Sequence, residues 1–257
     1  MNRRSVAILQ ARMSSTRLPG KVLQEAGGRV FLDRMVERAR RAKTVDRVVV
    51  ATTTDPSDDA IAAFCKQNQI EFTRGSLQDV LDRYYQAARQ YRADIVVRLT
   101  GDCPLIDPDL IDEVVTALIH ADADFACNRL PPPFKRTYPI GLDVEAATFA
   151  ALQQAWLEAK EKHEREHVMP YLYEVPGRFK VVQLDLAEDL GHMRWTLDTP
   201  EDLEFLQTVY AMLNNRNDFT WREVLNLVRE HPELQEINAG VNHKTMYDVD
   251  HRTGGNS

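Results

Sequence analysis

The chain has 257 residues, of which 44% are hydrophobic and 28% are charged, and its formal net charge at pH 7 is -7. This length and composition allow one large α/β core, and the acidic balance argues against a broad surface for nucleic acid. Because the first apolar run stops at Gln10 and the three cysteines are scattered, we expect no signal peptide, no membrane partner, no disulfide framework and a cytoplasmic location.

The first half of the chain alternates short β-like runs with helix-like periodic segments. Continuous apolar runs such as Val48–Thr52 are typical of strands covered on both faces of a sheet. In chain order we predict strands at Val6–Gln10, Val48–Thr52, Ile70–Thr73 and Ile95–Thr100, alternating with helices at Phe31–Ala42, Asp58–Asn68, Asp79–Tyr91 and Pro108–His120. This order predicts an α/β fold, a mostly parallel sheet with helices on both faces.

The second half is less regular. Three prolines in Leu130–Phe134 predict a loop or lid. Further predicted elements are strands at Gly141–Ala146 and Lys180–Leu186, a short strand before Asp198, and helices at Thr148–Leu157, Glu164–Leu172 and Thr220–Glu230. We expect the main domain to span residues 1–215, a helical extension to span 216–250, and the polar tail 251–257 to be disordered.

A basic, hydroxyl-rich loop over residues 10–23 follows the first predicted strand. It places Arg12, Arg17 and Lys21 at the carboxyl end of that strand, which is the edge where open α/β sheets bind ligands. Pro19 would stiffen the turn and fix where the charges point. Guanidinium forks and an ammonium group suit a polyphosphate. The alternative is a solvated basic turn, which the clustering of cations in a negatively charged chain disfavours.

Two aspartates stand directly after predicted strands. Asp102 lies on a turn between Gly101 and Pro104, and such a carboxylate suits Mg²⁺, although it could equally cap the turn. Asp198 precedes Thr199 and Pro200, a typical helix start. We expect this segment both to begin a helix and to bring Asp198 to the same sheet edge as Asp102.

Three motifs resemble a known family. Gln10–Lys21 resembles the N-terminal signature of the CMP-sugar cytidylyltransferases, in the form of the spore coat polysaccharide biosynthesis branch, and Gly101–Pro104 and Asp198–Leu203 resemble its two metal-binding segments. The resemblance covers residues 6–213. It implies a three-layer, nucleotide-diphospho-sugar-transferase-like fold with a mostly parallel mixed sheet. It also implies an enzyme that transfers CMP from CTP to an acidic sugar, phosphate or phosphonate and releases pyrophosphate.

The resemblance assigns roles to individual residues. It implies that the triphosphate is bound by Arg12, Ser15, Arg17 and Lys21, with Arg12 and Lys21 catalytic, and that Mg²⁺ is held by Asp102 and Asp198. Candidate nucleotide contacts at strand ends are Thr52 and Arg98, and candidate acceptor contacts are Arg83, Asp143 and His167. Arg98 departs from the polar residue, commonly Gln, that the family has there. Residues 128–190 would bind the acceptor and form a homodimer.

Alternatives remain open for several of these residues. Thr52 could simply end a strand, and Arg83 could form an ordinary helical ion pair with Asp79. His163, Glu164 and His167 fit the pattern of a zinc peptidase, although no third ligand follows and Pro170 comes soon after. A glycosyltransferase of the same architecture would carry a second aspartate close to Asp102, which this chain lacks. A module that only binds would leave the loop cations and both aspartates unused.

Overall fold

The computed structural model describes residues 3–130 and 136–242. The strands are β1 (Ser5–Gln10), β2 (Glu25–Ala26), β3 (Arg29–Val30), β4 (Arg47–Thr53), β5 (Phe72–Gly75), β6 (Ile95–Thr100), β7 (Phe125–Cys127), β8 (Glu145–Thr148) and β9 (Val181–Gln183). The α-helices are α1 (Phe31–Arg40), α2 (Asp59–Gln67), α3 (Val80–Gln90), α4 (Pro108–His120), α5 (Phe149–Glu158), α6 (Lys162–His167), α7 (Pro170–Tyr173), α8 (Pro200–Met212), α9 (Trp221–Glu230) and α10 (Glu233–Glu236).

Within the described residues, seven strands form one mixed sheet in the order β5-β4-β1-β6-β8-β7-β9, and β2 pairs with β3 in a separate hairpin. Strands β5, β4, β1 and β6 run parallel, with Ile8 of β1 in register between Val49 and Arg98. Strand β8 runs antiparallel to both β6 and β7, and β9 is parallel to β7. The predicted mostly parallel mixed sheet is therefore confirmed.

Helices cover both faces of this sheet. Side chains alternate along β1, so that Ala7 and Leu9 belong to one hydrophobic core and Val6 and Ile8 to the other. The first core contains the buried faces of α1, α2, α4, α8 and α9. The second contains those of α3, α5 and α7. The sheet and the helices on its two faces make three layers, with one core on each face of the sheet. Each fully buried Leu or Ile contributes roughly 1.5–3 kcal/mol to the stability of the fold through its removal from water.

The first half agrees closely with the sequence prediction. Strand β6 and helix α4 have the predicted bounds, and the other elements predicted there differ by one or two residues at an end. Local signals explain this agreement, because Asp107 caps α4 with its side chain and Pro108 occupies the first helical position. The hairpin of β2 and β3 and the short strand β7 were not predicted, since each has only two or three residues.

The helix predicted at Glu164–Leu172 is wrong as a single element. Helix α6 ends at His167, and α7 begins at Pro170. Val168 between them has a φ of 72°, which an α-helix cannot contain. Pro170 then starts the new helix because its ring fixes a helical φ and lacks an N–H that would need a partner.

Two strands predicted near the site are also shorter than expected. Strand β8 begins only at Glu145, because Gly141 has a φ of 105° and its missing Cβ would lie 2.6 Å from the Trp195 backbone. At Gly141 the chain lies too close to the Trp195 backbone to pair regularly with a neighbouring strand. The strand expected before Asp198 is reduced to one bridge between Ile140 and Arg194.

The C-terminal part packs on the first core through Trp221 of α9 and Leu234 of α10. The predicted loop or lid beyond Leu130, the end of the extension and the tail at 251–257 lie outside the described residues. None of the helices in the described part of the chain is both long and apolar enough to cross a membrane.

Candidate functional site

A cavity of about 570 Å³ lies at the carboxyl ends of β1 and β6. Its wall includes the loop after β1, the turn after β6, the segment before α8, and part of α6. It is lined by nine of the residues singled out from the sequence: Arg12, Ser15, Arg17, Lys21, Arg98, Asp102, Asp143, His167 and Asp198. The sheet edge predicted to bind a ligand is therefore the edge that carries the cavity.

The basic loop has a defined closed shape. Gly20 adopts a φ of 69°, and its N–H donates to the carbonyl of Met13 at 2.9 Å. The Met13 N–H in turn donates to the buried carboxylate of Asp58 at 2.6 Å. Lys21 then opens a single turn of 3₁₀ helix, Lys21–Leu23. Asp58 was not singled out from the sequence because it stands where a helix was predicted to start.

Lys21 brings the two predicted metal ligands together. Its Nζ lies 3.3 Å from Asp102 Oδ2 and 2.5 Å from Asp198 Oδ1. Burial alone would lower the pKa of Lys21, but the charges of both carboxylates outweigh burial and raise it. Burial would likewise raise the pKa of Asp102, but the Lys21 charge and the Thr100 hydroxyl hold it well below its usual range. Asp102 and the Lys21 ammonium are thus both charged near neutral pH.

Backbone contacts explain why residues so distant in sequence meet. The carbonyl of Asp102 accepts hydrogen bonds from the Leu197 N–H and the Thr196 hydroxyl, both at 2.8 Å. The Thr100 hydroxyl donates to Asp102 Oδ1 at 2.6 Å. The turn after β6 is therefore joined directly to the segment that carries Asp198.

Two guanidinium groups also approach Asp198. Its Oδ2 lies 3.1 Å from Nη2 of Arg17 and 3.5 Å from Nη2 of Arg194. Asp198 remains 20% exposed and lines the cavity, so a ligand can reach it. Arg17 additionally donates through Nη1 to the Asn242 carbonyl at 3.3 Å. Arg194 was not singled out from the sequence.

A second group of charges lies on the part of the wall formed around β8. Arg98 pairs with Glu145, and Asp143 receives two bonds from Arg136, at 2.5 and 3.1 Å, and one from Arg129 at 3.4 Å. Burial would raise the pKa of Asp143, but the two guanidinium charges lower it. Arg129 and Glu145 also line the cavity and were missed, because nothing local in the sequence marks them.

His167 lines the cavity from the end of α6. Burial, and then the positive charges of Arg98 and Arg129, lower its pKa to about 4, against the attraction of Glu166. The imidazole is therefore neutral at pH 7. A neutral imidazole can donate or accept a hydrogen bond without adding charge to this part of the cavity.

The residues of the zinc peptidase pattern have other partners. His163 Nε2 bonds the Glu174 carboxylate at 2.9 Å, and Glu164 accepts the backbone N–H groups of Lys160 and Glu161 in a capping box. Over residues 3–130 and 136–242, no group of three or more His, Cys, Asp or Glu side chains is arranged to hold a metal ion. The geometry does not support this alternative.

Thr52 and Arg83 do not line the cavity. Thr52 lies within β4 on the face that carries Val48 and Val50, and its hydroxyl is buried without a hydrogen-bond partner among the described residues. Arg83 is buried on α3 and donates through Nη1 to the Ser76 carbonyl at 2.7 Å. The structure therefore places both residues away from the cavity lining, with Thr52 buried within β4 and Arg83 against the loop before α3.

Asp102 and Asp198 have the chemistry of a site for a hard divalent cation. One oxygen of each carboxylate bonds the same ammonium, so both oxygens face one small volume that attracts positive charge. Mg²⁺ commonly uses one or two carboxylates and completes its shell with phosphate oxygens and water. These two residues fit that pattern.

Comparisons with known proteins identify the family of this chain. The model of a family described as cytidylyltransferase matches residues 6–229. The chain is 37% identical to the uncharacterized protein MJ1063 of Methanocaldococcus jannaschii, over 95% of this chain and 98% of that protein. It is 32% identical to the spore coat polysaccharide biosynthesis protein SpsF of Bacillus subtilis, over 88% and 94%. A solved cytidylyltransferase from Leptospira borgpetersenii matches with a TM-score of 0.86 and 34% identity, over 94% of this chain and 100% of that chain.

Proposed function

Because the chain belongs to the cytidylyltransferase family, and is thus a nucleotidyltransferase, we propose that it transfers CMP from CTP to a small acidic acceptor. The proposed reaction depends on Mg²⁺ and releases pyrophosphate. The observation that carries this proposal is the contact of Lys21, in the basic loop, with both Asp102 and Asp198. The family argues against the glycosyltransferase and peptidase interpretations.

In this proposal the basic loop binds the triphosphate. Arg12, Ser15, Arg17 and Lys21 line one stretch of the wall and offer guanidinium, hydroxyl and ammonium donors to phosphate oxygens. Arg17 and Lys21 pair with Asp198, and in this proposal they turn to the phosphates of the bound nucleotide. Mg²⁺ held by Asp102 and Asp198 would supply charge neutralisation and orientation of the phosphate oxygens.

The proposed chemistry is an in-line displacement at the α-phosphorus of CTP. An acceptor oxygen forms the new O–P bond while the bond from the α-phosphorus to the bridging oxygen breaks and pyrophosphate leaves. Lys21 stabilises the negative charge that grows on the α-phosphate and the leaving group. A hydroxyl acceptor releases its proton to water, whereas an ionised phosphate or phosphonate has none to lose.

The acceptor is proposed to bind on the wall around β8. Asp143 lies there, the neutral His167 faces the same cavity from the end of α6, and Arg129 supplies positive charge for an anionic group. We assign Arg98 to the nucleotide because it shares β6 with the turn of Asp102. An acidic sugar, a sugar phosphate or a phosphonate would each meet suitable donors.

The biological setting is part of the proposal. The name of the Bacillus relative favours a role in surface polysaccharide biosynthesis. The three cysteines are buried free thiols, which is consistent with a reducing cytoplasm. We further propose a homodimer formed through residues 128–190, for which sedimentation velocity would give about twice the 29.4 kDa mass of one chain.

Pyrophosphate release tests the proposed function. The purified protein is incubated with Mg²⁺, each of the four nucleoside triphosphates, and a panel of acidic sugars, sugar phosphates and phosphonates. We expect release with CTP and at least one acceptor class. Lys21→Met should lower the rate about 10²–10³-fold, because it removes a preformed charge aimed at the phosphates.

Lys66→Met is the matched control for this experiment, since Lys66 is exposed on α2 and does not line the cavity. It should keep the wild-type rate, and circular dichroism should show that both variants are folded. A wild-type rate in Lys21→Met would contradict the proposed function. So would the absence of pyrophosphate release with all four nucleotides.

A further inference from the structure

A buried carboxylate stands next to the candidate metal ligand in the first turn of α8. Asp202 is fully buried, and its Oδ2 accepts the N–H groups of Asp198 at 3.0 Å and Thr199 at 3.1 Å. Arg194 donates to both of its oxygens, at 2.8 and 2.7 Å. A buried charge is costly unless it is paired and hydrogen-bonded, and Asp202 meets both conditions. Its position therefore sets the backbone of Asp198.

Arg194 connects this cluster to the cavity. Its Nη2, which bonds Asp202 Oδ2, also lies 3.5 Å from Asp198 Oδ2. Its guanidinium group is thus shared between a carboxylate with a structural role and a carboxylate that faces the cavity. If Arg194 moved towards Asp198, it would neutralise the charge that a metal ion requires.

Asn238 completes the cluster from the C-terminal segment. Its side-chain Nδ2 donates to the Arg194 carbonyl at 3.0 Å and to Asp202 Oδ1 at 2.9 Å, and only 4% of the residue is exposed. It follows α10 and lies outside residues 6–229, the part that the family model matches. One amide therefore fixes both members of the pair that flanks Asp198.

We propose that Asn238 is a positioning residue for the metal site. Its amide joins the Arg194 main chain to the Asp202 carboxylate. The Arg194 guanidinium group therefore stays on Asp202, and the Asp198 carboxylate is left available to a cation in the cavity. This inference rests on the proposed function, which assigns Asp198 to the metal. Partners of this kind, which orient a ligand without touching the metal, typically change metal affinity 10–100-fold when they are removed.

Binding of Mn²⁺ tests the inference without turnover. The full-length protein is saturated with CTP in the absence of acceptor, and Mn²⁺ is titrated by calorimetry. Asn238→Ala should raise the Mn²⁺ dissociation constant about 10-fold. The Arg194 main chain and the Asp202 carboxylate lose their shared hydrogen-bond partner, so the guanidinium group can shift towards Asp198. Asn238→Ser, which keeps one hydroxyl donor and also serves if the alanine variant does not fold, should lie between Asn238→Ala and the wild type.

Leu234→Ala is the matched control, because Leu234 anchors the same segment by apolar packing and is 3% exposed. It should lower the melting temperature and leave the Mn²⁺ constant unchanged. Equal shifts in Leu234→Ala and Asn238→Ala would overturn the positioning role, since loss of packing would then explain both.

Asp198→Asn distinguishes a failure of the Asn238 role from a failure of the metal assignment. If this variant loses Mn²⁺ binding while both Asn238 variants bind like the wild type, the role of Asn238 is overturned and the proposed function stands. If Asp198→Asn binds Mn²⁺ like the wild type, the metal assignment fails, and the inference about Asn238 fails with it.

Discussion

The burial of His167 has a consequence for stability in acid. Its pKa is lowered to about 4 in the folded protein by burial and by Arg98, Arg129 and His163, although Glu166 attracts the proton. In the unfolded chain an imidazole titrates near pH 6.5, at about its usual value. Below that pH the unfolded state binds a proton that the folded state does not. The free energy of unfolding should therefore fall as pH drops from 6.5 towards 4, by up to about 1.4 kcal/mol per pH unit.

His167→Gln should remove this part of the pH dependence. The variant keeps a polar amide in the cavity but cannot take up a proton, so its free energy of unfolding should fall less steeply between pH 6.5 and 4.5. Urea unfolding at each pH measures the difference. His120→Gln, an exposed histidine at the end of α4, should keep the wild-type slope. Parallel curves for the wild type and His167→Gln would contradict the prediction.

For individual residues, the most informative signal in the sequence was a position shortly after a predicted strand. Lys21, Asp102 and Asp198 were singled out because their segments follow β-like runs, and parallel strands end at one sheet edge. The same reasoning did not bring Thr52 to the cavity lining, because its side chain is fully buried within β4. Asn238 carried no signal, because its importance comes from contacts with Arg194 and Asp202 that only the folded chain creates.

The closeness of β1 and β6 depends on Gly101. A Cβ there would lie 2.7 Å from the Gln10 carbonyl oxygen and 3.0 Å from Val22 Cγ1, and the Gly101 N–H bonds that same carbonyl at 2.9 Å. Gly101→Ala must therefore separate the two strand ends. We expect a loss of about 1–3 kcal/mol in the free energy of unfolding, the usual cost of overpacking.

Denaturant unfolding measures this loss, and Gly240→Ala provides the comparison. Among the described residues, a Cβ at Gly240 meets nothing within 4 Å, so that variant should be as stable as the wild type or slightly more stable. If Gly101→Ala were as stable as Gly240→Ala, the two strand ends would not be in the tight contact described above.

Elements were predicted well where local signals decide them. Helices α8 and α9 begin at capping boxes on Thr199 and Thr220 that can be read from a few neighbouring residues. The break at Val168 was not predicted, because a positive φ in a β-branched residue is imposed by its surroundings rather than by its own preference. Strand β8 was misplaced for a similar reason, because the positive φ of Gly141 and its close approach to the Trp195 backbone arise only in the folded chain.

At the scale of the whole molecule, the cavity joins parts of the chain that no local pattern connects. The loop after β1 and the turn after β6 meet because the two strands are parallel neighbours. The segment before α8 reaches them through the Asp102 carbonyl, and the C-terminal segment reaches Arg17 through Asn242. A ligand that bridges these segments would stabilise the entire fold rather than one element.

Thermal unfolding should therefore report the joint binding of nucleotide and metal. At 100 times its dissociation constant, a ligand that binds only the folded state adds about 2.7 kcal/mol, which corresponds to about 5–10 °C for a chain of this size. CTP with Mg²⁺ should give this rise. CTP with a chelator should give much less, because the phosphates would then face Asp102 and Asp198 without a divalent cation between them. In Asp198→Asn, CTP should raise the melting temperature by the same amount with Mg²⁺ and with the chelator. In Glu204→Gln, which changes an exposed position of α8, the two rises should differ as they do in the wild type. An equal rise for wild-type protein in Mg²⁺ and in chelator would mean that loop cations alone hold the triphosphate and that the paired carboxylates serve only to place Lys21.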